Sequence, residues 1–394
     1  MDLTIYPGKL SGEIQAIPSK SQAHRLLICA AFSDKETILE CSQTNEDIDA
    51  TVRCLNALGA NIVRKNDSYQ ITPVLDLPEN ATMDCGESGS TLRFLLPIVC
   101  ALGIAATIQM HGRLPYRPLS PLWEELERMG AILTRPTENT IQTAGKLRSG
   151  NYRISGNISS QYISGLLFAT ALLEGQSKIE ITGKLESKPY IDMTQDALNT
   201  FGVNSKNFKV KGCRPFHSPG KLKIEGDWSN AAFFFTANAL GCNVDVSNLS
   251  SDSPQGDRAV AQILSNYKTI QSISAADIPD LVPILSVFWG AKNGIEFTDI
   301  ARLRLKESDR VASVCNMMNK LGAKANATEN TLTITAGTYH GCTIDSAGDH
   351  RIAMAAAIAA TLANGPVTIL GAECVAKSYP GFWEDYKNLG GHYE

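Results

Sequence analysis

Pro18-Ser19-Lys20-Ser21-Gln22-Ala23-His24-Arg25 leads into the apolar run Leu26 to Phe32. Pro-Ser ahead of such a run marks a helix start. Lys20 stands where the helix dipole is positive, an unfavourable place for a cation. The stretch decides the fold because its pattern comes round six times. The other polar heads are Ser88-Gly89-Ser90, Ser159-Ser160-Gln161, Ser229-Asn230, Pro279-Asp280 and Asp349-His350-Arg351, each opening an apolar run. Between Ser21, Ser90, Ser160, Asn230, Asp280 and His350 the spacings are 69, 70, 70, 50 and 70 residues. Self-similarity at a fixed period is the signature of a repeated unit.

A second, amphipathic helix follows each head and ends on a glycine: Gly59, Gly130, Gly202, Gly322 and Gly390. Glycine just past a helix supplies the left-handed stop. The fourth unit lacks it and runs out at Ser265-Asn266-Tyr267, a degenerate copy whose helix is expected near Asp257 to Tyr267. Runs such as Ile38 to Cys41, Ala131 to Leu133, Lys178 to Ile181 and Thr331 to Ile334 read as strands. The first helices are apolar nearly all round and must be buried on most sides. The expected fold is therefore α/β (α+β): two domains of three units each, buried helices inside and sheets around them, an inside-out α/β barrel. The predicted domains are 19–225 and 1–18 plus 226–394, with a double-crossing hinge near 18–20 and 224–228. Leu3 to Pro18 reads as a hairpin around Pro7-Gly8-Lys9.

Composition narrows the class. The 394 residues are 43% hydrophobic and 19% charged, with a net charge of −4, so no global field favours nucleic acid or an anionic membrane. Met1-Asp2-Leu3-Thr4 shows neither a basic nor an apolar leader region, and the longest apolar run, Ile352 to Ala363, is too short to span a bilayer. A cytoplasmic protein is expected. The 10 cysteines form no C-x-x-C pair and the 6 histidines are scattered, so neither a disulfide framework nor a metal site is predicted.

The heads carry the chemistry. Helix N-termini expose free N–H groups and suit anions. Arg25 lies one turn after Ser21 on the same face. The Gly86-Glu87-Ser88-Gly89-Ser90 loop lets backbone approach a phosphate or carboxylate, and Arg113 and Arg117 lie in a proline-stiffened loop suited to bidentate anion binding. Ser159, Ser160 and Gln161 open a hydroxyl-rich helix start; Ser187-Lys188-Pro189-Tyr190 opens another. Asp280 reads either as an N-cap or as a carboxylate raised toward a base's pKa by partial burial. Arg302 to Arg310 packs Arg302, Arg304, Lys306, Glu307, Asp309 and Arg310 together, with Leu303 and Leu305 alternating as in a half-buried strand. Arg351 and Lys377 each stand before a helix.

Taken in order, Pro18-Ser19-Lys20-Ser21, Gly86 to Arg93, Arg117-Pro118, Ser159-Ser160-Gln161, Ser187-Lys188-Pro189-Tyr190, Glu225-Gly226-Asp227, Ile278-Pro279-Asp280, Lys306 to Arg310, Asp349-His350-Arg351 and Lys377 resemble the 3-phosphoshikimate 1-carboxyvinyltransferase (5-enolpyruvylshikimate-3-phosphate synthase) family. The resemblance covers the whole chain. It implies a monomeric enzyme whose two domains close over phosphoenolpyruvate and shikimate 3-phosphate, with no metal or organic cofactor, on the route to chorismate and the aromatic amino acids. It assigns shikimate 3-phosphate to Lys20, Ser21, Arg25, Ser159, Ser160, Ser187, Tyr190, Asp280 and Lys306. Phosphoenolpyruvate falls to Lys20, Gly89, Arg117, Gln161, Arg310, Arg351 and Lys377. Asp280 and Glu307 would move protons, with Lys20 and Lys377 assisting. Two departures stand out: Glu87-Ser88 where many relatives carry Asn-Ala, and Arg302 where many carry Asn. The sister enzyme acting on UDP-N-acetylglucosamine typically uses a loop cysteine, and the Arg113 to Leu119 loop has none. A non-enzymatic repeat scaffold predicts neutral heads, not seven cations with two carboxylates.

Overall fold

Ser19, Ser88, Ser159, Asp227 and Asp349 each stand one residue before an apolar helix, and their side chains accept a hydrogen bond from its first turn. These five residues are thus N-caps, which satisfy donors that an α-helix leaves open. The computed structural model describes residues 1–212 and 215–394. The helices are α1 (Lys20–Ala31), α2 (Glu46–Ala57), α3 (Gly89–Leu102), α4 (Leu122–Arg128), α5 (Ser160–Leu172), α6 (Lys188–Thr200), α7 (Trp228–Ala239), α8 (Ala259–Ser265), α9 (Val282–Gly290), α10 (Arg310–Leu321), α11 (His350–Ala360) and α12 (Phe382–Asn388). Odd-numbered helices are the apolar ones, and α9 and α11 are buried at every position. The glycine stops at 59, 130, 202, 322 and 390 all have positive φ.

Two compact units result, Pro18–Ile224 and Met1–Ile17 with Glu225–Glu394. Each has its own apolar core. In the first unit α1, α3 and α5 form that core; in the second, α7, α9 and α11 do. A helix apolar on all sides needs a shell, and sheets supply it. Within the units, helices cross between parallel strands: α3 between Asn80–Asp84 and Ala105–Gln109, α5 between Asn151–Ser155 and Gln176–Thr182, α9 between Ser272–Ser274 and Ile295–Thr298, α11 between Cys342–Asp345 and Val367–Leu370.

Units one and four of the repeat exchange their entry strands. Ser11–Gln15 precedes α1 but pairs in parallel with Asn243–Ser247, which follows α7. Lys221–Lys223 precedes α7 but pairs in parallel with Thr37–Glu40, which follows α1. That exchange is why the second unit is discontinuous in sequence. It also overturns the expected hairpin around Pro7-Gly8-Lys9: Leu3–Tyr6 pairs antiparallel with Val367–Leu370 and with His392–Tyr393, not with Ser11–Gln15. The fourth unit's second helix is shortened as well, to a 3-10 turn at Gly256–Arg258 followed by α8.

Among the described residues no helix is long and apolar enough to cross a membrane.

Candidate active site

In the first unit, Arg25 is 3% exposed. Its guanidinium donates to Thr194 Oγ1 (2.8 Å), the Ser21 carbonyl (2.6 Å) and the Tyr190 carbonyl (2.7 Å), and lies over the Phe94 ring. All of these partners are neutral, so burial dominates and pulls Arg25 down to about 10. Beside it His24 shares a hydrogen bond with Thr51 Oγ1 at 2.7 Å. Burial, against only a weak pull from Asp47, lowers His24 to about 3, so it is a neutral core histidine. Lys20 pairs with Asp47 at 2.8 Å.

The second head is held by helix contact. Gly165 lets α5 run against α3, since a Cβ there would overlap the Arg93 carbonyl. This places Gln161 at the mouth of both helices: its amide accepts from Arg93 Nη1 (2.9 Å) and donates to Ser90 Oγ (2.9 Å). Arg93 Nη2 also donates to the Pro118 carbonyl. A Cβ on Gly89 would stand 2.7 Å from Nη1 of both Arg93 and Arg117, so the missing side chain is what admits two guanidinium tips over this helix start. Ser160 and Ser187 are buried, the latter at a left-handed φ of 54° ahead of α6.

The second unit is built on Arg310, 1% exposed at the first position of α10. It bonds Asp280 (2.7 Å), Glu307 (2.8 Å) and Asp349 (2.9 Å). Lys306 and Arg351 approach Asp280 at 3.5 and 3.6 Å. Burial lowers Arg310, but the three carboxylates outweigh it and hold it above the usual arginine range. Burial likewise raises Asp280, yet Lys306, Arg351 and Arg310 together hold it well below the usual carboxylate range. Lys306 is lowered, because its burial outweighs the pull of Asp280. Lys377 Nζ donates to the Gly348 carbonyl at 3.2 Å.

Two sequence expectations change here. Asp280 is neither an N-cap nor a raised carboxylate: α9 is preceded by Leu281 without a side-chain cap, and three cations surround the carboxyl. The Arg302 to Lys306 run is not a strand. Ala301–Leu305 is a 3-10 turn with Leu303 buried, and Leu305 is 42% exposed. Its side chains fan out, so Arg304 donates to the Thr328 carbonyl while Lys306 turns to Asp280.

A family model for EPSP synthase (3-phosphoshikimate 1-carboxyvinyltransferase) matches residues 5–269 and 264–386. A 3-phosphoshikimate 1-carboxyvinyltransferase from Clostridium beijerinckii is 40% identical over 429 residues, covering 100% of this chain and 98% of its own. One from Clostridium perfringens is 40% identical over 98% of each chain. The chain belongs to the EPSP synthase family. An EPSP synthase structure from Acinetobacter baumannii superposes with a TM-score of 0.81 at 25% identity, covering 100% of this chain and 99% of that one. The enolpyruvyl transferase NikO from Streptomyces tendae shares the fold, with a TM-score of 0.75 at 15% identity over 100% and 98% of the two chains.

Against the family pattern, Ser88 is absorbed as the α3 cap, accepting from the Thr91 N–H and hydroxyl. The Glu87 carboxylate lies over Gly112, where a Cβ would overlap it. Arg302 sits half-buried in the 3-10 turn. Sequence reasoning left Arg93, Asp47 and Asp349 without site roles, although each contacts a residue it did select. The signal for Arg93 was available: a lone guanidinium within the first two turns of a mostly apolar helix, as in Arg25 and Arg351. Among the described residues no group of His, Cys, Asp and Glu is placed to hold a metal.

Proposed function

We propose that the protein transfers the enolpyruvyl group of phosphoenolpyruvate to the 5-hydroxyl of shikimate 3-phosphate, releasing phosphate by addition and elimination on the route to chorismate. Full-length similarity to 3-phosphoshikimate 1-carboxyvinyltransferases supports the reaction. The observation that carries the chemistry is Arg310 holding Asp280 and Glu307 beside Lys306 and Arg351.

Each substrate bears one phosphate and one carboxylate, about three negative charges near neutral pH. Lys20, Arg25, Arg117, Lys306, Arg310, Arg351 and Lys377 answer them, which reconciles an acidic chain with anionic ligands. Ser21, Arg25, Ser159, Ser160, Ser187, Tyr190, Asp280 and Lys306 hold shikimate 3-phosphate. Gly89, Arg117, Gln161, Arg310, Arg351 and Lys377 hold phosphoenolpyruvate, and Lys20 touches both.

Addition needs a proton on the phosphoenolpyruvate methylene carbon and removal of the hydroxyl proton; elimination takes the proton back from that carbon, breaks the carbon–oxygen bond to phosphate and hands the other proton to the departing phosphate. Glu307 serves the carbon and Asp280 the hydroxyl. With Arg310 bonded to both, Asp280 is too weak a base. Once Arg310 turns to the substrate carboxylate, Asp280 loses a cation and its basicity rises. Lys20 and Lys377 assist the proton movements. Phosphate release on mixing both substrates, absent with either alone, tests the reaction; full turnover by Glu307→Gln at saturating substrates refutes that assignment. The same reading makes the enzyme a cytoplasmic monomer that closes on its ligands, which light scattering and small-angle scattering with and without both substrates test.

A further inference from the structure

One ionisable group in the second unit has no role in this scheme. Asp257 lies in the 3-10 turn Gly256–Arg258 and is 1% exposed. Its Oδ2 accepts a hydrogen bond from the Ser229 hydroxyl. Ser229 belongs to the first turn of α7, and its backbone carbonyl accepts from Arg351 Nη1 at 2.8 Å. The other arm of Arg351, Nη2, stands 3.6 Å from Asp280 Oδ2. Three contacts therefore lead from Asp257 to the carboxylate assigned to the hydroxyl proton.

The charged groups acting on Asp257 are Asp227 at the α7 cap, Asp280 ahead of α9 and Arg351 of α11. Among the side chains of α8 none is charged, and Arg258, in the same turn, donates to the Ser251 carbonyl. Three carboxyls thus share this corner with Arg351. Burial first, and then the charge of Asp280, push Asp257 up to about 7, while Asp280 is held low. Neighbouring carboxyls driven in opposite directions divide the labour of holding and releasing a proton.

We propose that Asp257 is a positioning residue for the transfer reaction: as a neutral acid it anchors Ser229, whose carbonyl sets Arg351 against Asp280, and on ionising it adds a negative charge that weakens this corner's hold on phosphoenolpyruvate. The inference rests on the enolpyruvyl-transfer reading and on the assignment of Arg351 to phosphoenolpyruvate.

Asp257→Asn keeps the shape and stays neutral at every pH. Phosphate release is measured for wild type and variant from about pH 6 to about pH 8.5, with phosphoenolpyruvate varied and shikimate 3-phosphate saturating. At the acid end kcat/KM for phosphoenolpyruvate agrees within about threefold. Toward the alkaline end the variant-to-wild-type ratio rises by roughly tenfold, carried by KM and not by kcat. Ionisation of the substrate phosphate is common to both enzymes and cancels in the ratio. A ratio constant across the range assigns Asp257 a structural role only and overturns the proposal, as does an inactive variant at the acid end with an unchanged melting temperature. If Asp257→Asn does not fold, Ser229→Ala serves. Losing the hydroxyl that favours the ionised carboxylate moves the wild-type alkaline decline to higher pH, and an unmoved decline overturns the proposal. Wild type that releases no phosphate at any pH refutes the reaction itself, which separates the two failures.

Discussion

Arg25 and Arg310 are both buried guanidiniums within the first two turns of helices, at 3% and 1% exposure, and the protein treats them in opposite ways. Arg25 of the first unit bonds a hydroxyl and two backbone carbonyls, and is pulled below the ordinary arginine range. Arg310 of the second bonds three carboxylates and is pushed above it. A buried cation with neutral partners is costly until an anion arrives. A buried cation with three carboxylates is already compensated. The contrast teaches that one repeated scaffold can bury a guanidinium against neutral partners in one unit and against three carboxylates in the other.

Replacing each arginine by methionine tests the contrast most severely. Arg310→Met strands Asp349, buried at 0% exposure, and is expected to cost the second unit about 3–5 kcal/mol. Urea unfolding reads it through Trp228, Trp289 and Trp383, which all lie in that unit. Arg25→Met keeps the Phe94 contact and removes an uncompensated charge, so stability falls by no more than about 1–2 kcal/mol. Its effect is on binding: KM for shikimate 3-phosphate rises about 10- to 100-fold, the worth of charge-assisted hydrogen bonds. Equal stability losses in the two variants would remove the distinction.

Acid sharpens the same comparison. His24 in the first unit is near 3 when folded against 6.5 for the free side chain, so the unfolded chain binds its proton first. Its contribution is complete above 6.5 and is lost as pH falls from there toward 3, to a total on the order of 5 kcal/mol. Asp280 in the second unit is depressed below 3.8, so its contribution is lost only below that value. Asp257 is raised, and folding gains from it as pH falls through about 7. Segment-resolved hydrogen exchange near pH 5 should therefore show α1 loosened relative to neutral pH while α9 and α11 are not. His24→Asn should flatten the change in α1. Loosening of all three helices together would contradict the assignment.

The parts of this arrangement that follow from short stretches were legible in the sequence. Caps, apolar helices and glycine stops depend on neighbours within a turn, so Ser19, Ser88 and Gly322 could be placed from spacing. What escaped depends on residues distant in the chain. Nothing local at Ser11–Gln15 says that its partner is Asn243–Ser247 and not the nearer Leu3–Tyr6. Nothing near Asp280 says that Arg310, Lys306 and Arg351 converge on it, so neither the cap nor the raised carboxylate that its surroundings suggested is what the fold makes of it. The 302–306 run misled for another reason. Alternating Leu303 and Leu305 fit a strand of period two, but the same spacing in a 3-10 turn buries Leu303 alone.

The smallest effect distinguishes the units at their glycines. Gly89 and Gly348 both stand beside a helix start, yet only Gly89 is crowded by side chains. Gly89→Ala puts a Cβ 2.7 Å from the Arg93 and Arg117 tips. Both tips are the ends of flexible chains and give way, so the melting temperature should hold while KM for phosphoenolpyruvate rises roughly tenfold and that for shikimate 3-phosphate stays within about twofold. Gly348→Ala meets nothing within 4 Å but must adopt a φ of 67°. It should cost about 1 kcal/mol of second-unit stability and move KM for phosphoenolpyruvate less than Gly89→Ala does. If Gly89→Ala instead lowers stability and leaves KM unchanged, the guanidiniums over α3 are structural, and the first unit loses its standing as the one built around cations held ready for an anion.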